Sequence, residues 1–195
     1  MNFTSDFLKT KLLILFFSVF FIFQSHAQAM GMELGLNYGY QKKYFDANNY
    51  YQTETKSASV SFYLLSRIIF ELSYTDSVYE SQEKDSYGSR VVQQTSNITG
   101  GDLIFILTSQ QDEFQPYLKA GAAYIHKKAL IKYENTDAYT VPTKDGVAPS
   151  YGAGLKFKIH DSLSVRIGYD IYQTPQDNGT KSDDSNFKVG LSWEI

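Results

Sequence analysis

The 195-residue chain contains no cysteine and carries little net charge, and both absences restrict what the protein does. Without cysteine, disulfide bonds, a thiol nucleophile and thiolate metal sites are excluded. The formal net charge of −3 does not suggest a nucleic-acid partner. Beyond residue 30, no apolar run reaches the roughly 20 residues that a transmembrane helix needs. Any insertion of this part of the chain into a membrane must therefore be by strands.

The amino-terminal segment has the features of a secretory signal peptide. Lys9 and Lys11 precede a largely apolar run over residues 12–23, and small residues follow it. A retained membrane anchor is the alternative, but this run is short of the roughly 20 residues of a membrane-spanning helix. We predict a signal peptide over residues 1–27, with cleavage after Ala27 or, alternatively, after Ala29. One domain then covers residues 28–195.

Apolar and polar side chains alternate along eight later segments, which predicts β-strands rather than helices. The last ten residues show this pattern best, with one apolar face formed by Phe187, Val189, Leu191, Trp193 and Ile195. The fourth segment is the least regular, because Ile104 and Ile106 blur its alternation. Three short connections alternate with four long polar ones, over residues 42–56, 79–92, 133–149 and 173–185. This order predicts an all-β, eight-stranded, antiparallel up-and-down barrel with its long loops at one end.

The apolar face of such a barrel points either inward, as in a soluble carrier, or outward, as in a membrane protein. Both charge signs and many glycines lie on the polar face, as in a narrow lumen where small residues make room for large ones. We predict a lumen network of opposite charges formed by Glu33, Glu71, Lys119, Lys156, Lys158, Arg166, Asp170, Lys188 and Glu194. Aromatic residues on the apolar face form two groups, which predicts the girdles of a transmembrane barrel. One group is Tyr38, Tyr40, Tyr74, Tyr124, Tyr151 and Tyr169, and the other is Phe105, Phe157 and Trp193.

Three segments, residues 115–124, 151–155 and 163–170, resemble the small outer-membrane β-barrels of the OmpA and OmpX type. The pattern of Lys188, Gly190, Trp193 and Ile195 is similar to the signal by which the outer-membrane assembly machinery recognises a last strand. Ile195 departs from that signal, which usually ends on Phe. The resemblance implies an outer-membrane protein of a Gram-negative cell envelope, surrounded by lipid and lipopolysaccharide. It also implies that the assembly machinery and periplasmic chaperones are partners during biogenesis.

The sequence favours a structural or surface-interaction role, such as that of an adhesin. An eight-stranded barrel is filled by its own side chains, so the lumen charges should act as a plug. The four long loops would protrude from the cell and offer a surface to an extracellular ligand. A narrow, low-conductance pore for small solutes or ions is the main alternative. A secreted carrier and a lipid-modifying enzyme are less favoured.

Two histidine-containing segments are candidate sites. His160, Asp161 and Ser162 form the one local trio with hydrolase chemistry, but the next strand begins at once, which is typical of a polar turn. His126 stands at a strand end beside two lysines, where a solvated side chain is expected rather than a metal ligand. We therefore predict no catalytic residue, no cofactor and no metal site.

Overall fold

The computed structural model describes residues 31–46, 48–85, 88–134, 137–141, 143, 145–175 and 181–195. The predicted signal peptide lies outside these residues. No helix in the described part is long and apolar enough to cross a membrane. The described residues form nine strands: β1 (Met32–Tyr44), β2 (Tyr50–Leu65), β3 (Ile68–Asp85), β4 (Gly88–Ile106), β5 (Phe114–Tyr133), β6 (Tyr139–Val141), β7 (Gly146–His160), β8 (Leu163–Pro175) and β9 (Lys181–Glu194).

Eight of these strands close into an antiparallel ring. These are all the strands except β6. Each pairs with the next one along the chain, β5 pairs with β7, and β9 pairs with β1 to close the ring. The predicted up-and-down barrel is therefore confirmed. The strand that was not predicted is β6, which lies in the third predicted loop and pairs with β5 at Ala129, Leu130 and Ile131.

Side chains alternate between the lumen and the outer surface, as the period of two requires. Leu36 and Leu191 pair across the β1–β9 seam, and their side chains are 69% and 53% exposed. Their neighbour Ser192 is buried in the lumen. The apolar face points outward on every side of the ring, which contradicts the soluble-carrier alternative. A barrel with this surface needs hydrocarbon around it.

The strands extend into the segments predicted as long loops. The β1–β2 ladder continues to Tyr44 and Tyr50, and the β3–β4 ladder to Asp85 and Gly88. The β8–β9 ladder reaches Lys181. The predicted loops at residues 42–56, 79–92 and 173–185 are therefore largely paired strands, which corrects the prediction. The alternation of apolar and polar residues stops in these segments because both faces of the strands meet water. The backbone hydrogen bonds between the strands nevertheless continue.

The two ends of the barrel differ in their connections. At one end, short connections such as Ser66 to Arg67 and Asp161 to Ser162 join consecutive strands. We call this the turn end, and both the first and the last strand of the ring meet there, where the Ile195 amide donates to the Met32 carbonyl oxygen at 2.8 Å. The opposite end, where the extended ladders lie, is called the hairpin end.

Candidate functional site: the barrel lumen and its cavity

The predicted lumen charges belong to residues in the middle of the strands whose side chains point into the barrel. Seven of the nine are buried: Glu33, Glu71, Lys119, Lys156, Arg166, Asp170 and Lys188. Lys158 and Glu194 are only half-buried, because they lie near the turn end, where the lumen opens. The prediction missed Asp102, which is 1% exposed. The sequence does indicate this position, because Asp102, Ile104 and Ile106 are alternate residues of β4 and their side chains point to the same face, the inner one.

The charges nearest the turn end centre on Glu33. Its carboxylate forms an ion pair with Lys156 and accepts a hydrogen bond from the Tyr63 hydroxyl at 2.7 Å. The Lys156 ammonium also donates to the Tyr63 hydroxyl at 2.8 Å. On the other side, Arg166 lies 3.9 Å from Glu33 Oε1 and donates to Glu71 Oε2 at 2.7 Å. Arg166 therefore connects this group to the middle of the lumen.

Lys119 occupies the middle of the lumen, where three carboxylates surround it. Its ammonium lies 3.1 Å from Asp170, 3.2 Å from Asp102 and 3.7 Å from Glu71. Asp170 in turn pairs with Lys188 at 3.0 Å. Four cations and four carboxylates thus form one connected set, which we call the ion-pair layer: Glu33, Glu71, Asp102, Asp170, Lys119, Lys156, Arg166 and Lys188. Buried charges cost free energy unless they are paired and hydrogen-bonded, and here each charge has an opposite partner.

Apolar side chains lie on both sides of the ion-pair layer, and the sequence reasoning missed them. One cluster, toward the turn end, consists of Tyr63, Ile69, Ile104, Ile106 and Tyr117. The other, toward the hairpin end, consists of Ile98, Ala123, Ile125, Ala148 and Tyr172. The isoleucines that blurred the alternation of the fourth segment are therefore lumen residues, whereas Leu103 and Phe105 are exposed on the outside, as predicted. Together with the ion pairs, these clusters fill the lumen.

The cavities within the filled part of the lumen are small. One beside Lys119 and Arg166 measures about 20 Å³, and one beside Ile106 and Gln115 about 10 Å³. Each has room for about one water molecule.

A larger cavity of about 310 Å³ lies in the hairpin end, above the ion-pair layer; we call it the hairpin-end cavity. Its buried lining includes Ser77, Ser96, Ile98 and Asn186. Its sides include Tyr51 and Tyr79, whose rings stack with centroids 6.1 Å apart and planes 28° apart. Because the filled lumen closes it below, this cavity is a blind pocket, and sequence reasoning did not find it.

The outer surface carries the predicted aromatic groups. All nine side chains point away from the lumen, with exposed fractions from 37% for Phe157 to 59% for Trp193. Ile195 of the predicted assembly signal is also exposed on the outside. Lys188 and Gly190 of that signal lie on the inner side of the same strand, where Lys188 joins the ion-pair layer.

The two histidine segments lie apart from the lumen. His160 ends β7, and Asp161 and Ser162 form the turn to β8. His126 Nδ1 lies 2.5 Å from Asp145 Oδ2, and the Lys127 amide donates to Asp145 Oδ1 at 3.1 Å. The hydrogen bond with His126, together with that from the Lys127 amide, lowers the pKa of Asp145 below its ordinary value. No group of three His, Cys, Asp or Glu side chains suited to a metal ion occurs in the described part of the chain.

Comparisons with known proteins point to one family. The sequence model described as "Outer membrane protein beta-barrel domain" matches residues 12–194. Among curated proteins, none matches the chain.

Several solved structures share the fold. Neisserial surface protein A is similar with a TM-score of 0.57 and 13% identity, over 85% of this chain and 97% of that one. OprG from Pseudomonas aeruginosa has a TM-score of 0.55 and 9% identity, over 86% and 96% of the two chains. Ail, the attachment invasion locus protein of Yersinia pestis, in complex with the heparin analogue sucrose octasulfate, has a TM-score of 0.52 and 12% identity, over 85% and 99%.

Proposed function

The chain belongs to the outer membrane protein beta-barrel family and lies in the cell outer membrane, and from this premise we propose that it is a closed barrel with a structural or adhesin-like role. In this proposal the hairpin end faces the outside of the cell, as the long connections of outer-membrane barrels do. The turn end faces the periplasm. The protein then acts through the surface of its hairpin end and not by passing solutes through its lumen.

The ion-pair layer is the observation on which the proposal rests. A solute that crossed the barrel would have to separate Arg166 from Glu71, which are 2.7 Å apart, and displace Lys119 from its carboxylates. Separating buried ion pairs costs free energy, because each buried charge then lacks an opposite charge beside it. The apolar clusters above and below add a second obstruction. These features favour the closed barrel over the alternative of a narrow pore.

The hairpin end offers an exposed contact surface. Tyr44 and Phe45, at the tip of the β1–β2 hairpin, are 62% and 66% exposed. The Lys42 ammonium lies 4.9 Å from the centre of the Tyr44 ring and 4.3 Å from that of Tyr50. Aromatic and cationic side chains of this kind are common at binding surfaces because they combine apolar area with a charge. They support a role in contacts with extracellular molecules or with neighbouring lipopolysaccharide.

Conductance in planar lipid bilayers tests whether the lumen is closed. We expect the folded wild-type protein to give no steady current, because the lumen is filled. Arg166→Ala should raise the current, since it removes the cation that joins Glu33 to Glu71. If this variant fails to fold, Glu71→Gln combined with Arg166→Gln removes one charge of each sign and serves the same purpose. A steady current through the wild-type protein would overturn the closed-barrel proposal.

A hairpin replacement tests the role of the exposed surface. Tyr40 pairs with Glu54, so a two-residue Asn-Gly turn is a suitable replacement for residues 41–53. We expect cells that display the shortened barrel to lose adhesion to surfaces or host cells, while the barrel keeps its heat-modifiable migration in detergent. Equal adhesion of the two proteins would count against an adhesin-like role and leave a structural one.

The remaining partners and the leader belong to the same proposal. We propose that the assembly machinery and periplasmic chaperones handle the chain before insertion, and that a signal peptide precedes the barrel. Sequencing the amino terminus of the mature protein should find Gln28 or Met30 as the first residue. An intact Met1 in the outer-membrane fraction would show that the leader is retained.

A further inference from the structure

We propose that the hairpin-end cavity binds one uncharged saccharide unit from outside the cell. This inference rests on the proposed function, because it requires that the hairpin end faces outward. It gives the surface-interaction role a defined site and a ligand class. Its evidence is the chemistry, charge and depth of the cavity.

Two tyrosine rings in the lining offer an apolar contact surface to a sugar ring. Tyr51 and Tyr79 come from neighbouring strands, β2 and β3, and both line the cavity. The Gln41 amide donates to the Tyr51 hydroxyl at 3.4 Å, which keeps this ring beside the first strand. Aromatic rings give a ligand apolar contact area at low entropic cost, and the C–H face of a sugar ring is such a surface.

Amide and hydroxyl groups dominate the rest of the lining. Gln94 and Asn186 carry side-chain amides, and Thr53, Ser77 and Ser96 carry hydroxyls. An amide side chain donates and accepts, and so does a hydroxyl. A sugar hydroxyl has the same double capacity. Such a lining suits a ligand with many hydroxyl groups better than a purely apolar ligand.

The charge of the cavity favours a neutral ligand. Its two carboxylates, Asp183 and Asp184, come from β9. Asp184 forms an ion pair with Lys127 and accepts a hydrogen bond from the Thr174 hydroxyl at 2.6 Å. Carboxylates in the lining repel sulfate or phosphate groups. Because Lys127 already neutralises Asp184, a polyamine would gain less there than at two uncompensated carboxylates.

The size and depth of the cavity indicate a ligand that is held and not transported. Its volume of about 310 Å³ lies at the lower end of the range for small-molecule sites, which is about 300 to 1,000 Å³. Buried residues, among them Ile98 and Asn186, form its inner part, and the ion-pair layer lies beyond them. A terminal sugar residue of a surface glycan could enter from outside but could not pass through.

Titration of the full barrel in lipid nanodiscs tests the inference. The probes are the methyl glycosides of glucose, galactose, mannose and N-acetylglucosamine, with a sulfated disaccharide and spermidine as charged alternatives. We expect saturable binding of at least one uncharged glycoside, measured by calorimetry or by NMR shifts of Tyr79 and Asn186. Tyr79→Ala should weaken this binding about tenfold, since it removes the stacked ring. Tyr79→Phe should keep most of the affinity because the ring remains.

Tyr139→Ala is the matched control, because Tyr139 on β6 is an exposed tyrosine of the same end that does not line the cavity. It should leave the affinity unchanged. Binding of the sulfated disaccharide or of spermidine alone would overturn the ligand class. Equal losses of affinity in Tyr139→Ala and Tyr79→Ala would show that the glycoside does not bind in the hairpin-end cavity. Conductance of the same samples separates the two proposals. A closed barrel that binds no glycoside refutes only the saccharide site, whereas a conducting wild type refutes the proposed function.

Discussion

The side chain of Tyr117 fills the space beside Gly154 inside the barrel, so that a β-carbon on Gly154 would overlap the tyrosine ring and its hydroxyl. The two residues are paired across β5 and β7. Arg166 lies over the same ring, with its guanidinium carbon 5.4 Å from the ring centre. The absence of a side chain at Gly154 therefore makes room for Tyr117, which packs against Arg166 of the ion-pair layer.

We expect Gly154→Ala to lower the free energy of unfolding by about 1 to 3 kcal/mol, the usual cost of overpacking a filled interior. The added methyl group would also lie 2.5 Å from the Ile167 carbonyl oxygen, which belongs to the backbone and has little freedom to move. Urea unfolding in detergent or lipid measures the difference. Gly101→Ala is the control, because the nearest atom to its β-carbon, on Leu72, is 3.7 Å away. Equal stabilities of the two variants would show that the lumen adapts freely around Tyr117.

Removal of the Lys119 ammonium should be more damaging than removal of an exposed cation. In Lys119→Met, the carboxylates of Asp102, Asp170 and Glu71 would lose their shared partner, and breaking a buried pair typically costs about 3 to 5 kcal/mol. Lys56→Met is the control, since Lys56 pairs with Glu54 at 3.0 Å on the exposed surface and should change stability little. Unfolding titrations at neutral pH compare the variants. A wild-type stability for Lys119→Met would mean that the carboxylates are compensated by other groups.

Much of the fold follows from the sequence because lipid imposes a strict rule on one face. Where a strand crosses hydrocarbon, its outer side chains must be apolar, and alternation then reveals both the strand and its orientation. Leu36 and Leu191 are examples on β1 and β9. Beyond the membrane the rule ends. Tyr79 belongs to a strand that continues to Asp85, but its surroundings in the sequence resemble a loop because both faces are polar.

The arrangement of the lumen could be predicted only in part, because the side chains that meet there come from strands that are distant in sequence. Opposite charges on the polar face indicated that ion pairs would form, but not that Lys119 would take three carboxylates. Ile98 and Ile125 lie inside the barrel, although alternation places apolar residues outside. They are accommodated there because they are buried in one cluster with Ala123, Ala148 and Tyr172. The hairpin-end cavity depends on side chains from five strands, and no single segment carries a sign of it.

The contact between Asp145 and His126 gives a pH prediction at the hairpin end. The pKa of Asp145 is lowered by the hydrogen bonds with His126 and with the Lys127 amide. A carboxyl group whose pKa is lower in the folded state contributes stability above its unfolded value, near 3.8, and loses it as the pH falls through the folded value. The Lys127 amide resonance of the wild type should therefore shift below pH 3.8. Asp145→Asn should abolish this transition, and a midpoint above 3.8 in the wild type would contradict the hydrogen-bonded arrangement.

Trp193 provides a test of the predicted assembly signal that is independent of the lumen. Its side chain is 59% exposed on the outer face of β9, so its removal costs little packing inside the barrel. Trp193→Ala should nevertheless reduce the amount of heat-modifiable protein in the outer membrane, because the machinery would recognise the last strand less well. Phe187→Ala is the matched control, since Phe187 is an exposed aromatic residue of the same strand outside the signal. Refolding of both purified variants into lipid separates recognition from stability. A loss in cells with normal refolding in lipid assigns Trp193 to recognition, whereas equal losses for both variants would reduce its role to membrane anchoring.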